Sequence, residues 1–378
     1  MGLPEELQFF KQTMRRFVDK ELIPLEACGE LDEPTREALR EKAKMAGLWM
    51  LDVPVELGGQ GLGALGMSVF WEELSRTVAV SPRDTHIFRS LIGPILLGLQ
   101  GEQKERFLMP VIRGEATPCF AITEADAGSD PGSMRSRAVR EGDHYVINGV
   151  KRFITDAHRA DIAQVIVYTD PSQGLHGLSC FLVDMRSPGV CVTADYNTMM
   201  GDCPSEITLT DVRIPVANRV GAEGDGMALA QRWITEGRIL RHGARSLGVA
   251  ERCIELGTAY SRRRQTFGAP LASRQAIQFM IADTYAELQQ ARLLVRDAAC
   301  DLECKRDARL KSWIVKSQAT EMGFRAVDRC MQLHGGVGLT TEMPIERMWR
   351  EQRSFLITEG PAEVMRAAIA RKVYELYE

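Results

Sequence analysis

Four short stretches carry residues whose types and spacing could do chemistry. In SFLITEGPAEVMR, Ser354 to Arg366, a single carboxylate, Glu359, stands between an apolar run and a Gly-Pro pair. Such a group could accept a proton while Phe355, Leu356 and Ile357 exclude water, and a glutamate ahead of a helix is equally a plain partner for the helix dipole. FAITEADAGSDPGS, Phe120 to Ser133, gathers Thr123, Ser129, two glycines and several backbone amides, a set able to donate hydrogen bonds to an anionic or amide-bearing ligand. Composition alone favours a surface loop there. In RRRQTFG, Arg262 to Gly268, Arg264 offers a planar guanidinium to a phosphate, and in MQLHGGVGLTTE, Met331 to Glu342, Gly335 and Gly336 would let backbone amides approach one. The plainer readings are a solvated basic helix end and a left-handed helix stop. A fifth, glycine-rich stretch, PVELGGQGLGALG, lacks the lysine of a P-loop and follows no clear strand, so it reads as a loop.

The elements that must position these residues follow from periodicity. To about Thr117 apolar residues recur at helical spacing, as in Leu7, Phe10, Met14, Phe17 and Val18, and in Val69, Phe70, Leu74 and Val78. Between about Pro118 and Val220 the period changes to two. HYVINGVKRFIT reads there as two strands around the turn-forming pair Asn148-Gly149, and QVIVYTD, GLSCFLVD and SEITLTDVRIP supply further short strands. After GAEGDG the chain is helical to its end, most clearly where Ile277, Met280, Ile281, Tyr285, Leu288, Ala291, Leu294 and Val295 recur. The order helix, strand, helix predicts an α+β chain divided at 1–117, 118–222 and 223–378, and no G-x-G-x-x-G follows a strand.

Composition removes several function classes. A net charge of −4 gives no reason to expect a polyanion, so nucleic acid is disfavoured as a partner. Nine dispersed cysteines without a C-x-x-C pair suggest neither a disulfide framework nor zinc, and six scattered histidines argue against a metal enzyme. The opening MGLPEELQFFKQTMRRFVDKE reads as an amphipathic helix rather than a signal peptide. No apolar run reaches the roughly 20 residues that span a bilayer. The expectation is a cytoplasmic protein with no membrane contact and no metal.

Taken in order, TEADAGSD, the segment ending FIT, DVRIPVANRVGAEGDG, RRRQTFGAPLASRQAIQ, QLHGGVG and TEGPAEV resemble the acyl-CoA dehydrogenase family over nearly the whole chain. The resemblance implies an N-terminal helical domain, a central β-barrel-like domain and a C-terminal four-helix bundle, with FAD as cofactor and an acyl-CoA thioester as substrate. It also implies an electron-transfer flavoprotein as partner and a homotetramer or homodimer. Carried over by position, Phe120, Ile122, Thr123, Gly128 and Ser129 would line the flavin, with Phe153, Ile154 and Thr155 on its other side. Arg264, Thr266, Phe267, Gln275, Gln332, Leu333, Gly335 and Gly336 would reach the adenine dinucleotide, and Pro361 and Glu363 would also touch FAD. Ser129, Glu236, Gly237, Arg238 and Gly360 would meet the substrate.

Removing an α-proton from a thioester needs a positioned carboxylate, a hydride acceptor on the other face, and hydrogen bonds to the enolate oxygen. The family keeps its base at one of two places. One corresponds to Glu359, while at the other Gly237 precedes Arg238 and cannot serve, and Glu236 is one residue off register. The segment from Arg238 to Gly248 is one residue longer than the family usually has, which predicts a bulged helix. Other departures are Phe153 for a usual Trp, Ala125-Asp126 for Pro-Gly, and Pro361 for Thr. Flavin monooxygenases or oxidases of the same fold, and a non-catalytic flavin-bearing protein associated with DNA, are the alternatives.

Overall fold

A computed structural model describes residues 2–80, 87–89 and 92–378 of the chain. Positions 81–86, 90 and 91 of the expected N-terminal helical region lie outside the described residues. The chain packs as two units, one formed by Met1–Ser90 with Thr235–Glu378, the other by Leu91–Ile234. No helix among the described residues is long and apolar enough to cross a membrane.

The first unit is helical. Arg309–His334 packs against Arg245–Arg263, Gln275–Glu303 and Ala362–Leu376, a four-helix arrangement built on stripes of small and branched residues such as Ala319, Ala326, Val315 and Val327. Ala64–Leu74 is buried on almost every side, including Glu72 and Glu73. Those two carboxylates are tolerated because cations meet them: Lys11 at 2.8 Å and Arg292 at 3.0 Å on Glu72, and Arg15 at 2.8 Å on Glu73. In Gln275–Glu303 the buried residues include Thr284, Leu288, Ala291, Arg292 and Val295, whereas Tyr285 is 55% exposed. The expected stripe thus holds in its second half, and Tyr285 lies beside the buried face, next to Thr284. The glycine-rich loop is tied to the segment before it: Gln60 donates to Met50 O, Gly61 to Val53 O and Leu62 to Leu51 O.

The second unit is built on one eight-stranded sheet: β1 Pro118–Ala121, β2 Arg137–Glu141, β3 His144–Ile154, β4 Ile162–Tyr168, β5 Leu178–Asp184, β6 Val190–Asp195, β7 Ser205–Pro215 and β8 Arg219–Val220. Its order is β6-β7-β3-β2-β4-β5-β8, with β1 added parallel to β4. The core joins Tyr145, Ile147, Val165, Phe181, Ile207 and Val212.

One expectation is corrected here. Asn148-Gly149 is no hairpin turn but the middle of the eleven-residue β3, where the register against β7 slips between Ile147 and Gly149. The Asn148 side chain accepts from Asp211 N at 2.9 Å and donates to Asp211 Oδ1 at 3.0 Å, so it caps a bulge across the sheet. Glycine is required because a Cβ at 149 would stand 2.0 Å from Ser136 Oγ. The tight turn lies upstream, at Gly142 with φ 65°, between β2 and β3.

Candidate active site

Glu359 sits in the turn that follows Ile345–Phe355 and precedes Ala362–Leu376. Its φ is 55°, a region that costs a non-glycine residue about 1–3 kcal/mol and persists where neighbours over-determine it. They do so here. Arg238 Nε donates to the Glu359 carbonyl at 2.8 Å, and a side-chain nitrogen of Arg241 donates to Oε1 at 3.0 Å. Gly360, at φ 101°, holds a backbone conformation that strains any side chain, and a Cβ there would also displace Met365 Cε, 2.8 Å away, and the Arg238 guanidinium, 3.0 Å away. Pro361 then stands at the N-cap of the last helix. A proline suits that position, where the missing amide has no intrahelical partner.

The helix opposite supplies the reason Arg238, Arg241 and His242 meet the carboxylate together. Gly226–Gly237 runs into a π-helical segment, Arg238–Ala244, before Arg245–Arg263. The extra residue foreseen from the spacing is this bulge, and three and four positions apart the three basic side chains share one face. His242 Nδ1 lies 3.3 Å from the Gly237 carbonyl and 3.4 Å from Glu359 Oε2, while Nε2 is 2.9 Å from the Thr358 hydroxyl. Burial pushes the His242 pKa down to about 3, and the pull of Glu359 does not restore it. His242 is therefore a neutral ring, held between the Gly237 carbonyl at Nδ1 and the Thr358 hydroxyl at Nε2.

Burial also pushes the Glu359 carboxyl up, but the Arg241 and Arg238 guanidinium groups outweigh it and hold it below the ordinary carboxylate range. The group is ionised at neutral pH, and Oε2 accepts no hydrogen bond among the described residues. Behind it, buried Lys316 donates to Phe355 O at 2.5 Å, its pKa brought down to about 8 by burial. Gly237 leaves the carboxylate its space: a Cβ there would stand 2.4 Å from Glu359 Oε2. The two places where a base was sought in the sequence are thus one place in space. Glu359, Gly360, Gly237 and Arg238 come together, and Pro361 and Glu363 follow on the next helix. Glu236, partly exposed, is the residue before Gly237. Arg241, His242, Thr358 and Lys316 were missed by sequence reasoning. The only signal for the first two was the lengthened segment RILRHGA.

A second set lies in the β unit. Phe120 stacks on Trp233 with ring centroids 5.4 Å apart. The turn that follows, carrying Ile122, Thr123, Gly128 and Ser129, is pinned by Glu124, whose carboxylate accepts from Arg135 N at 2.7 Å, Ser136 N at 3.1 Å and buried Lys151 Nζ at 2.8 Å. Arg152 N donates to Thr123 O at 2.8 Å, tying this turn to the end of β3. There Phe153 is 54% exposed at φ 58° with Tyr196 4.9 Å away, while Ile154 turns into the core ahead of Thr155. Asp126 pairs with Arg135 at 3.1 Å, both exposed.

The Glu124 and Lys151 pair gives a test of this scaffold. Burial raises the Glu124 carboxyl, but Lys151, Ser136 and Arg135 more than reverse this and leave it below 4.5. Its contribution to stability is present above the unfolded value and is lost as pH falls through the folded one. Lys151→Met should therefore destabilise the protein by about 3–5 kcal/mol near pH 7, with the penalty shrinking in acid as Glu124 protonates. Urea unfolding at two pH values reads this, and a penalty that does not change with pH would contradict it.

A third set closes two helix ends in the first unit. Arg264 follows Arg245–Arg263, and the short ladder of Gln265–Thr266 with Ala269–Pro270 presents Phe267 fully exposed at φ 49°. Gln275 opens the next helix. Arg309–His334 ends beside this place, with the Tyr260 and His334 rings 4.4 Å apart. Gly335 takes φ 63°, ψ −141°, which is not the left-handed stop foreseen but a conformation reserved for glycine, and a Cβ at Gly335 or Gly336 would meet nothing within 4 Å. Gln332 precedes this open cradle, and Leu333 is buried.

Taken separately, the guanidinium and open glycine pair of the first unit suit the phosphates of a flavin dinucleotide, and the exposed Phe153 ring and the hydroxyls of Thr123 and Ser129 in the second suit stacking and the polar edge of its ring. Family models for the acyl-CoA dehydrogenase N-terminal, middle and C-terminal domains match residues 4–115, 119–212 and 224–374. The chain belongs to the acyl-CoA dehydrogenase family, whose members are FAD-dependent oxidoreductases. It is 36% identical over 375 residues to a caffeyl-CoA reductase-Etf complex subunit of Acetobacterium woodii, covering 98% of each chain. To the mitochondrial short-chain specific acyl-CoA dehydrogenase of Homo sapiens it is 36% identical over 380 residues, covering 99% of this chain and 92% of the other. Butyryl-CoA dehydrogenase from Megasphaera elsdenii superposes with a TM-score of 0.87 at 28% identity, with 99% of both chains covered.

Proposed function

We propose that this protein catalyses α,β-dehydrogenation of an acyl-CoA thioester, with Glu359 as the base and an electron-transfer flavoprotein as electron partner. The observation that carries the reading is the ionised Glu359 carboxylate, fixed by Arg238 and Arg241, with Oε2 unpartnered beside Gly237. Bound FAD supplies the hydride acceptor. Glu359 takes the α-proton onto a carboxylate oxygen while neutral His242 and the apolar Phe355 exclude water beside it. The backbone amide at the base, that of Glu359, is the donor to the thioester oxygen in this reading, and Arg238, bonded to the Glu359 carbonyl, holds the turn that aims it. The flavin and dinucleotide roles of the Phe120–Ser129, Phe153–Thr155, Arg264–Gln275, Gln332–Gly336 and Pro361–Glu363 residues belong to the same proposal. So do a homotetrameric or homodimeric state, a cytoplasmic location, and a domain division at 1–117, 118–222 and 223–378, which the three matched segments support.

The electron partner is supported by the Etf complex to which the Acetobacterium woodii relative belongs. The test is anaerobic bleaching of the yellow holoenzyme by a panel of acyl-CoA thioesters, followed by reoxidation with purified electron-transfer flavoprotein or with air. Bleaching, enoyl-CoA product and faster reoxidation by the flavoprotein are expected. Rapid oxygen consumption without enoyl product would overturn the reading in favour of an oxidase.

A further inference from the structure

The placement of Arg241 extends this reading from reaction to substrate. Resting on Glu359 as base, the argument begins with a conflict: a carboxylate paired with a guanidinium at 3.0 Å is a poor proton acceptor. The charged and titratable groups facing Glu359 are Arg238, Arg241 and His242 on the π-helical segment and Lys316 on Arg309–His334, with Glu363 acting on Lys316 from the last helix. Arg238 is committed to the Glu359 carbonyl, Lys316 to the Phe355 carbonyl, and His242 is neutral. Arg241 is the cation on the carboxylate itself, at Oε1, and its side chain is 12% exposed.

Reach decides what could draw it away. In a reactive pose the α-carbon lies about 3–3.5 Å from a Glu359 oxygen, which puts it within roughly 6–7 Å of the Arg241 nitrogen. An oxygen on the fourth acyl carbon is three bonds farther out, about 3.5–4 Å along the chain, and the remaining gap is about one hydrogen bond. An unsubstituted alkyl chain would instead press hydrocarbon on the guanidinium and leave its pairing with Glu359 intact, a costly burial of charge.

We propose that Arg241 is a specificity-determining residue that selects thioesters whose acyl chain carries an oxygen substituent, hydroxyl or carboxylate, at the fourth carbon. That oxygen takes a hydrogen bond from Arg241 and frees Glu359 to accept the α-proton. No bond is made or broken beyond those of the proposed reaction.

The holoenzyme would be mixed anaerobically with butyryl-CoA, 4-hydroxybutyryl-CoA or succinyl-CoA, reading kcat/KM for flavin bleaching. The same three thioesters would be titrated into Glu359→Gln holoenzyme to read Kd without turnover. Wild type should favour at least one substituted thioester by about tenfold or more in kcat/KM, and Glu359→Gln holoenzyme should favour the same one in Kd. Arg241→Met should bring the ratio to near one, and Arg241→Lys should keep part of it. A wild type that prefers butyryl-CoA, or an Arg241→Met that lowers all three in proportion, would overturn the proposal. Should Arg241→Met lose FAD, Arg241→Gln decides in its place, an unchanged ratio refuting the role. Normal bleaching by Glu359→Gln would refute the base while the Arg241 ratio still reports on selection, so the two failures are distinguishable.

Discussion

Glu359→Gln should leave a folded, yellow protein that binds thioester and loses flavin reduction by about 10²–10⁴-fold, the range expected when a positioned base is removed. Glutamine keeps the shape of the side chain and can still accept from Arg241, so the turn held by Arg238 through the backbone should survive. What disappears is the anion. Arg241 then loses its charge partner, and a modest fall in melting temperature is expected as well. The decisive readout is single-turnover bleaching at saturating thioester, because it separates chemistry from binding. Reduction at the wild-type rate would remove Glu359 from the mechanism. Since Arg241 and Arg238 hold the carboxyl below 4.5, the wild-type rate should stay flat down to that range and fall only in stronger acid. Removing the Arg241 charge should move that fall upward in pH.

Gly237→Ala is the second large effect, and its direction is unusual. Alanine in a helix interior is ordinarily favoured over glycine by up to about 1 kcal/mol. Here its Cβ would stand 2.2 Å from an Arg241 nitrogen and 2.4 Å and 2.8 Å from the Glu359 oxygens. Those atoms are the ends of flexible side chains, so the helix should form and the carboxylate should yield. A displacement of about 1 Å from a reactive geometry costs on the order of 10²-fold in rate. Activity should therefore drop while the thermal midpoint holds or rises. A variant with unchanged bleaching rate would show that the space beside Gly237 is not used by the base.

Much of the molecule could be read before its structure. Helical and strand periods located the helical, sheet and helical stretches, because amphipathic spacing is a local property of the chain. The count from Arg238 to Gly248 revealed the π-helical bulge for the same reason: an added residue in a helix has to be absorbed where it occurs. The empty position at Gly237 and the carboxylate at Glu359 were legible as residue types. Local rules also misled. Asn148-Gly149 has the composition of a turn, but Asp211, far along the chain, takes up the Asn148 side chain and keeps the strand running.

What only tertiary structure decided is the identity of partners. Arg241 and Glu359 are 118 residues apart, and nothing in RILRHGA says which carboxylate its arginine will meet. Glu72, Glu73, Lys151 and Lys316 read as surface charges by type, yet all are buried, each compensated by a group that packing brings from another element. A charge's environment depends on which helices and strands enclose it, and that is set by the sum of many apolar contacts rather than by its neighbours in sequence. The residues we propose for proton transfer were written in the chain. How basic Glu359 is, and which acyl groups we propose it meets, follow from the fold that sets two arginines and a neutral histidine around it.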